Sequence, residues 1–173
     1  ITKSKPVIGY FGALAQWFDY ELIIKLAEAR SNYEIVLIGW NYDQSIDRFS
    51  LDKYSNITVI GPINYEILPQ YACWFDVSMI PFRVNAVTES TSPIKLFEYM
   101  ALGHPIVTTD LPECRKYRSS LVAKTHNEFI QYIDGAVQNS EDRAYHRNQE
   151  AKENSWEKKA KDISEILIAN FEK

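Results

Sequence analysis

Ser92-Pro93-Ile94-Lys95-Leu96-Phe97-Glu98-Tyr99-Met100-Ala101-Leu102-Gly103-His104-Pro105 decides how the rest of the chain is read. Both ends of a helix are marked in it. Ser92 is a favoured N-cap, and Pro93 suits the first helical position, where its missing N–H costs nothing. Gly103 suits the C-terminal stop, and Pro105 follows it. Nearly every side chain between is apolar, which predicts a helix buried nearly all round. Lys95 and Glu98 are the exceptions, and their spacing puts them on one face of the helix. A lysine in the first turn opposes the positive end of the helix dipole. Free backbone N–H groups leave that same end. Together they suit an anion, phosphate above all. A carboxylate one turn further in then suits sugar hydroxyls beside that phosphate. The alternative is an internal Lys95–Glu98 ion pair, because charges are seldom buried unpaired. Spacing alone does not separate the two.

Outward from this helix, short apolar runs alternate with helical patterns. Pro6–Gly12, Tyr33–Gly39 and Asn56–Gly61 read as buried strands, each ended by glycine. Phe75–Pro81, Pro105–Thr109 and Ser119–Ala123 read as three more. Asp19 suits the cap of a helix over Tyr20–Arg30. Asp43–Tyr54 reads as a short helix, and Tyr65–Trp74 as one that is broken or begins near Leu68, because Pro69 lies inside it. Phe82–Thr91 reads as a loop. Asn127–Gln138, Glu141–Asn154 and Trp156–Phe171 complete the helices. The alternation predicts βαβ crossovers: an α/β, Rossmann-like, doubly wound parallel sheet of about six strands with helices on both faces. Ligands of such sheets bind beyond the carboxyl ends of the strands. Gly12-Ala13, Gly61-Pro62-Ile63 and the segment from Phe82 to Pro93 fall at that edge.

The 173 residues suit one domain, and 46% apolar with 24% charged residues is ordinary for a globular protein. A net charge of −4 and the lack of a basic run argue against nucleic acid as a partner. Cys73 and Cys114 stand far apart outside any CxxC pattern, which predicts a reducing compartment and no zinc site. No apolar run approaches the roughly 20 residues of a membrane span, and no signal peptide is expected. Residues 1–5 read as a linker or boundary segment ahead of a domain over 6–154, with a C-terminal helix over 155–173.

The chain resembles the C-terminal, nucleotide-sugar-binding half of GT-B glycosyltransferases, most closely glycosyltransferase family 4 (group 1). The resemblance runs nearly end to end. It is carried by Gly9-Tyr10-Phe11-Gly12-Ala13 with Trp17-Phe18-Asp19, by Leu37-Ile38-Gly39, and by Gly61-Pro62-Ile63-Asn64-Tyr65 followed by Leu68-Pro69. Its most specific pieces are Phe75-Asp76-Val77, Ile80-Pro81-Phe82 and the organising stretch from Ser92 to Gly103. Ser155-Trp156-Glu157 resembles the start of the family's last helix, which often leans back across the partner domain. The resemblance implies that Glu98 binds the ribose hydroxyls of a nucleoside diphosphate. It places the backbone around Ser92, Pro93 and Ile94 near the diphosphate, with Lys95 as a nearby cation. Gly12 and Ala13 approach the phosphates from the other side, and the segment from Pro62 through Ile63 to Tyr65 flanks the base. The family pattern has a first glutamate at the position that here holds Ser90. Glu89, Ser90 and Thr91 are accordingly the candidates for the donor sugar.

For several residues a structural role competes with the functional one. Trp17 suits the core and Asp19 a helix cap; Tyr65 suits ordinary packing and Glu89 a solvated loop. His104, His126 and His146 show no partner pattern and read as structural or surface residues. No Asp-x-Asp and no GxGxxG occurs, so neither a metal-chelating pair nor a dinucleotide fingerprint is present. The expectation is a metal-independent hexosyltransferase of polysaccharide biosynthesis that needs no cofactor. Its substrate is a UDP- or GDP-linked sugar, and catalytic groups belong to an acceptor-binding N-terminal domain. A nucleotide-sugar epimerase of the same fold and a non-catalytic nucleotide- or protein-binding domain are the alternatives. A cytoplasmic location is expected, with peripheral membrane contact open for a longer chain.

Overall fold

The computed structural model describes residues 4–139 and 144–171. Among them six strands form one parallel sheet: β1 (Val7–Phe11), β2 (Glu34–Ile38), β3 (Ile57–Ile60), β4 (Val77–Ile80), β5 (Ile106–Thr109) and β6 (Ser120–Ala123). Their order is β3-β2-β1-β4-β5-β6. The chain winds outward from β1 to β3, then returns to the far side of β1 and winds outward again. The order therefore reverses between β1 and β4, where ligands of such sheets bind. Ile8 pairs with Ile35 on one side and Val77 on the other. All side chains of β4 and β5 are buried, so the centre of the sheet is covered on both faces.

Among the described residues seven α-helices connect or follow the strands: α1 (Tyr20–Ala29), α2 (Leu68–Ala72), α3 (Ala86–Glu89), α4 (Lys95–Leu102), α5 (His126–Gln138), α6 (Ala144–Glu153) and α7 (Trp156–Phe171). Asp19 caps α1 as its sequence position predicts, accepting the Leu22 N–H at 3.0 Å. Leu22, Ile23 and Leu26 turn that helix toward the core.

The organising helix differs from its sequence reading at its start. Ser92 is not the N-cap, and Pro93 lies ahead of the helix rather than in its first turn. Regular α geometry begins at Lys95, after a tightened turn in which Leu96 and Phe97 donate to the carbonyls of Pro93 and Ile94, each at 3.0 Å. The C-terminal end forms as expected: Gly103 takes a left-handed conformation, and His104 N–H closes back on the Tyr99 carbonyl. Burial is one-sided. Leu96, Tyr99 and Met100 face inward, whereas Ile94 is 64% exposed.

Other expectations shift in detail. The stretch 43–54 forms two short 3-10 turns, Ser45–Arg48 and Leu51–Lys53, because Gln44 and Ser50 take left-handed conformations that interrupt a continuous helix. The loop 82–91 contains α3, fixed by a capping box between Asn85 and Thr88. α2 begins at Leu68 with Pro69 in its first turn, so Tyr65 precedes the helix. The expected helix start at 141–143 and most of the expected linker 1–5 lie outside the described residues.

Candidate functional site

The carboxyl ends of β1 and β2 approach each other through two glycines. Gly39 has φ +157°, and a methyl group added there would lie 1.8 Å from the Gly12 carbonyl oxygen. Gly12 has φ +136°, and a methyl group added there would lie 2.2 Å from Lys95 Cε and 2.6 Å from its Nζ. Both positions therefore need glycine, one for backbone approach and one for the lysine. The Gly12 N–H is engaged by the Ile38 carbonyl at 2.8 Å. The Ala13 N–H has no acceptor among the described residues. The loops after β1 and β4 are stitched together, with Asp19 N–H on the Pro81 carbonyl and Arg83 N–H on that of Trp17.

Tyr99 fixes α4 at this edge. Its buried hydroxyl accepts the Phe11 N–H at 3.1 Å, and its ring meets Phe11 edge-on. α4 therefore holds Lys95 over the end of β1. The Lys95 ammonium lies 5.5 Å from the Tyr10 ring centroid and 5.6 Å from that of Phe82. Such contacts stabilise a desolvated cation partially. Nζ makes no hydrogen bond or ion pair among the described residues, and burial pulls its pKa below the usual lysine value, with the Glu98 charge opposing.

The internal Lys95–Glu98 ion pair is not formed. Glu98 Oε1 instead accepts the Tyr65 hydroxyl at 2.8 Å, and the carboxylate raises the Tyr65 pKa. The backbone N–H groups of Ser92, Ile94 and Lys95 have no acceptor among the described residues. Gly12, Ala13, Tyr65, Ser92, Ile94, Lys95 and Glu98 thus lie on segments at the carboxyl edge of the sheet, with Gly12 against Lys95 and Tyr65 bonded to Glu98. A cation one helical turn from a carboxylate with an open oxygen, with free N–H groups just ahead in the chain, is a set of groups that suits a ligand carrying phosphate and hydroxyls.

The remaining sequence candidates are placed as follows. Ile63 is half-buried against the edge of the core, ahead of the exposed Tyr65. Pro93 is buried. Glu89, at the end of α3, is exposed; the Ser90 and Thr91 hydroxyls donate to carbonyls of that helix, to Ala86 at 3.2 Å and Val87 at 2.9 Å. Trp17 packs beside Tyr42, with ring centroids 5.7 Å apart. Asp19 has structural work, since its second oxygen pairs with His126 Nε2 at 2.9 Å. His104 is buried against Ser78. Three participants escaped the sequence reading: Gly39, and the rings of Tyr10 and Phe82. Their signal lay in the strand register, since Tyr10 and Phe82 belong to β1 and to the segment leaving β4.

A cavity of about 1080 Å³ lies at the other edge of the sheet, near the amino ends of β5 and β6. Within its lining Glu150 accepts the N–H groups of Arg118 and Ser119, and Arg147 donates to the Gly103 carbonyl. It brings together no candidate residue.

The fold is that of a Rossmann-like domain, with these candidate residues at the strand-order reversal. The sequence matches the glycosyl transferases group 1 family over residues 5–139, and the chain belongs to that family. A Bacillus subtilis (strain 168) protein assigned by name to teichuronic acid biosynthesis as a glycosyltransferase, TuaH, is 26% identical over 132 residues, 75% of this chain and 31% of that one. Among solved structures, Anabaena Alr3699/HepE in complex with UDP and glucose superposes with a TM-score of 0.74 at 15% identity, over 96% of this chain and 49% of that one. The catalytic domain of cholesterol-α-glucosyltransferase from Helicobacter pylori gives 0.61 at 16% identity, over 86% and 93%. These structures share the fold, that of the C-terminal half of GT-B glycosyltransferases. The chain spans about a third of the length of TuaH and about half that of HepE.

Proposed function

We propose that this chain is the donor-binding half of a metal-independent hexosyltransferase that uses a UDP- or GDP-linked sugar. The observation that carries the reading is the Lys95 ammonium, partly buried at Gly12 with no hydrogen-bond partner among the described residues, one helical turn from the Glu98 carboxylate. Lys95 and the N–H groups of Ala13, Ser92 and Ile94 hold the diphosphate. Glu98 accepts from the ribose hydroxyls, and Ile63 and Tyr65 flank the base. Glu89, Ser90 and Thr91 border the sugar. Transfer displaces the nucleoside diphosphate from the anomeric carbon, and the leaving group's growing charge is stabilised by donors already aimed at it. Family membership favours transfer over epimerisation and over a domain that only binds.

The acceptor, a glycan or lipid-linked saccharide, is held by a further N-terminal domain of the same protein. The exposed apolar side of α7 is the surface on which that domain rests. A cytoplasmic setting with peripheral membrane contact fits such a substrate. No described helix is long and apolar enough to cross a membrane.

Titration calorimetry of the chain with UDP and with GDP tests the donor site. One of them binds, and Lys95→Ala and Glu98→Ala each weaken it at least about tenfold, as loss of a charge-assisted contact requires. No heat with either nucleotide, or undiminished binding after Glu98→Ala, overturns the reading. Incubated with a nucleotide sugar and acceptor, the chain by itself transfers no sugar.

A further inference from the structure

Tyr65 and Glu98 approach from opposite sides of the crevice. Tyr65 lies in the turn between β3 and α2, and Glu98 in the first turn of α4, which follows β4. The strand order puts β2 and β1 between these two elements. The 2.8 Å bond from the Tyr65 hydroxyl to Glu98 Oε1 therefore bridges the carboxyl ends of both strands.

Tyr65 is 70% exposed and makes no ring contact with another aromatic among the described residues. Its ring gains little from burial, so its phenol is what anchors it. The Glu98 carboxylate keeps that phenol a donor by raising its pKa. Glu98 itself is half-buried, and its Oε2 accepts no hydrogen bond among the described residues. A carboxylate offers acceptor sites on both oxygens. Here one oxygen is held by the protein and the other is left open, one helical turn from Lys95.

We propose that Tyr65 is a positioning residue of the nucleotide site: its hydroxyl holds Glu98 by Oε1 so that Oε2 meets the vicinal diol of a ribose. The proposal rests on the nucleoside-diphosphate reading above and assigns the work to the phenol rather than the ring. Holding the carboxylate in one rotamer before binding removes an ordering cost that the ligand otherwise bears.

The test is calorimetry with whichever of UDP and GDP the wild-type chain binds, alongside the 2′,3′-dideoxy form of that nucleotide. Tyr65→Phe keeps the ring and removes the hydroxyl. It weakens the ribonucleotide about fivefold, the scale of one net hydrogen bond, and leaves Tm unchanged. The loss disappears for the dideoxy nucleotide and in a Glu98→Ala background. Three results overturn the proposal: undiminished binding by Tyr65→Phe with a loss only in Tyr65→Ala, which makes the ring the contact; tighter binding by Tyr65→Phe, which makes the phenol a competitor of the ribose; or a loss that persists without Glu98. Failure of the wild-type chain to bind either nucleotide removes the donor-site reading and this proposal with it, and is distinct from all three.

Discussion

The side chain of Lys95 runs through the space that a Cβ on Gly12 would need, with Nζ 2.6 Å from that point. The floor of the crevice and its cation are thus made to fit each other. Gly12→Ala forces the flexible end of Lys95 to move and strains a φ of +136°. Nucleotide affinity falls at least about tenfold, while unfolding free energy falls by about 1–2 kcal/mol. Gly39→Ala meets backbone instead, 1.8 Å from the Gly12 carbonyl oxygen. It costs about 2–4 kcal/mol, because nothing there can rotate away. Urea unfolding and calorimetry on both variants check the contrast; equal stability losses would show that the Gly12–Gly39 approach is not rigid.

The lowered Lys95 pKa gives nucleotide binding a pH dependence with a definite sign. Burial lowers it below the unfolded value of about 10.4. The diphosphate selects the ammonium, so affinity holds below the folded pKa and declines as pH rises through it. The decline begins at lower pH than an ordinary lysine allows. For stability the sign is opposite: the penalty of the buried charge is present below the folded pKa and is relieved as pH rises toward the unfolded one. Calorimetry from neutral to alkaline pH shows the falling limb in the wild type, and Lys95→Gln binds weakly without it.

Four of the six strands were legible as short apolar runs closed by glycine or proline, the pattern that a parallel sheet covered on both faces favours. Lys95 and Glu98 stood out for the same reason, as charges in an apolar helix. Three things were not legible. The helix start moved from Ser92 to Lys95 because a tightened turn on Pro93 and Ile94 replaced a side-chain cap. The Tyr65–Glu98 bond joins residues far apart in sequence, and only the strand order brings them together. That Lys95 forgoes the ion pair with Glu98, which spacing had left open, follows from its stem lying along Gly12 toward Tyr10 and Phe82, a direction set by tertiary packing.

Asp134 ties α5 to the end of α1. It accepts from Arg30 Nε at 2.8 Å and from the Tyr33 hydroxyl at 3.0 Å. The Arg30 hydrogen bond is the main reason its pKa lies below the ordinary value. With the folded pKa below the unfolded value of about 3.9, the contribution is full at neutral pH and lost as pH falls through the folded pKa. Asp134→Asn therefore lowers stability by about 1–2 kcal/mol at neutral pH. Urea titrations show that difference shrinking as the medium is acidified through the carboxylate range.

α7 carries its apolar residues outward. Ile163, Ile166 and Leu167 are 59%, 61% and 51% exposed, and Phe171 is 85% exposed. At the other end of the helix Lys159 lies 4.9 Å from the Phe97 ring centroid, so the helix is anchored to α4 near its start. An amphipathic helix with an uncovered apolar stripe is stable in water only if something else covers it or if it is tolerated as local excess. The proposed acceptor domain supplies a cover. Ile166→Ser with Leu167→Ser is then expected to change the stability of this chain by no more than about 0.5 kcal/mol, the usual range for exposed positions. In a protein that also carries the acceptor domain, the same pair lowers Tm by several degrees and reduces sugar transfer. Chemical denaturation of the two proteins side by side separates the cases: equal losses in both place the stripe inside this domain's own packing, and a loss confined to the longer protein places it between the domains.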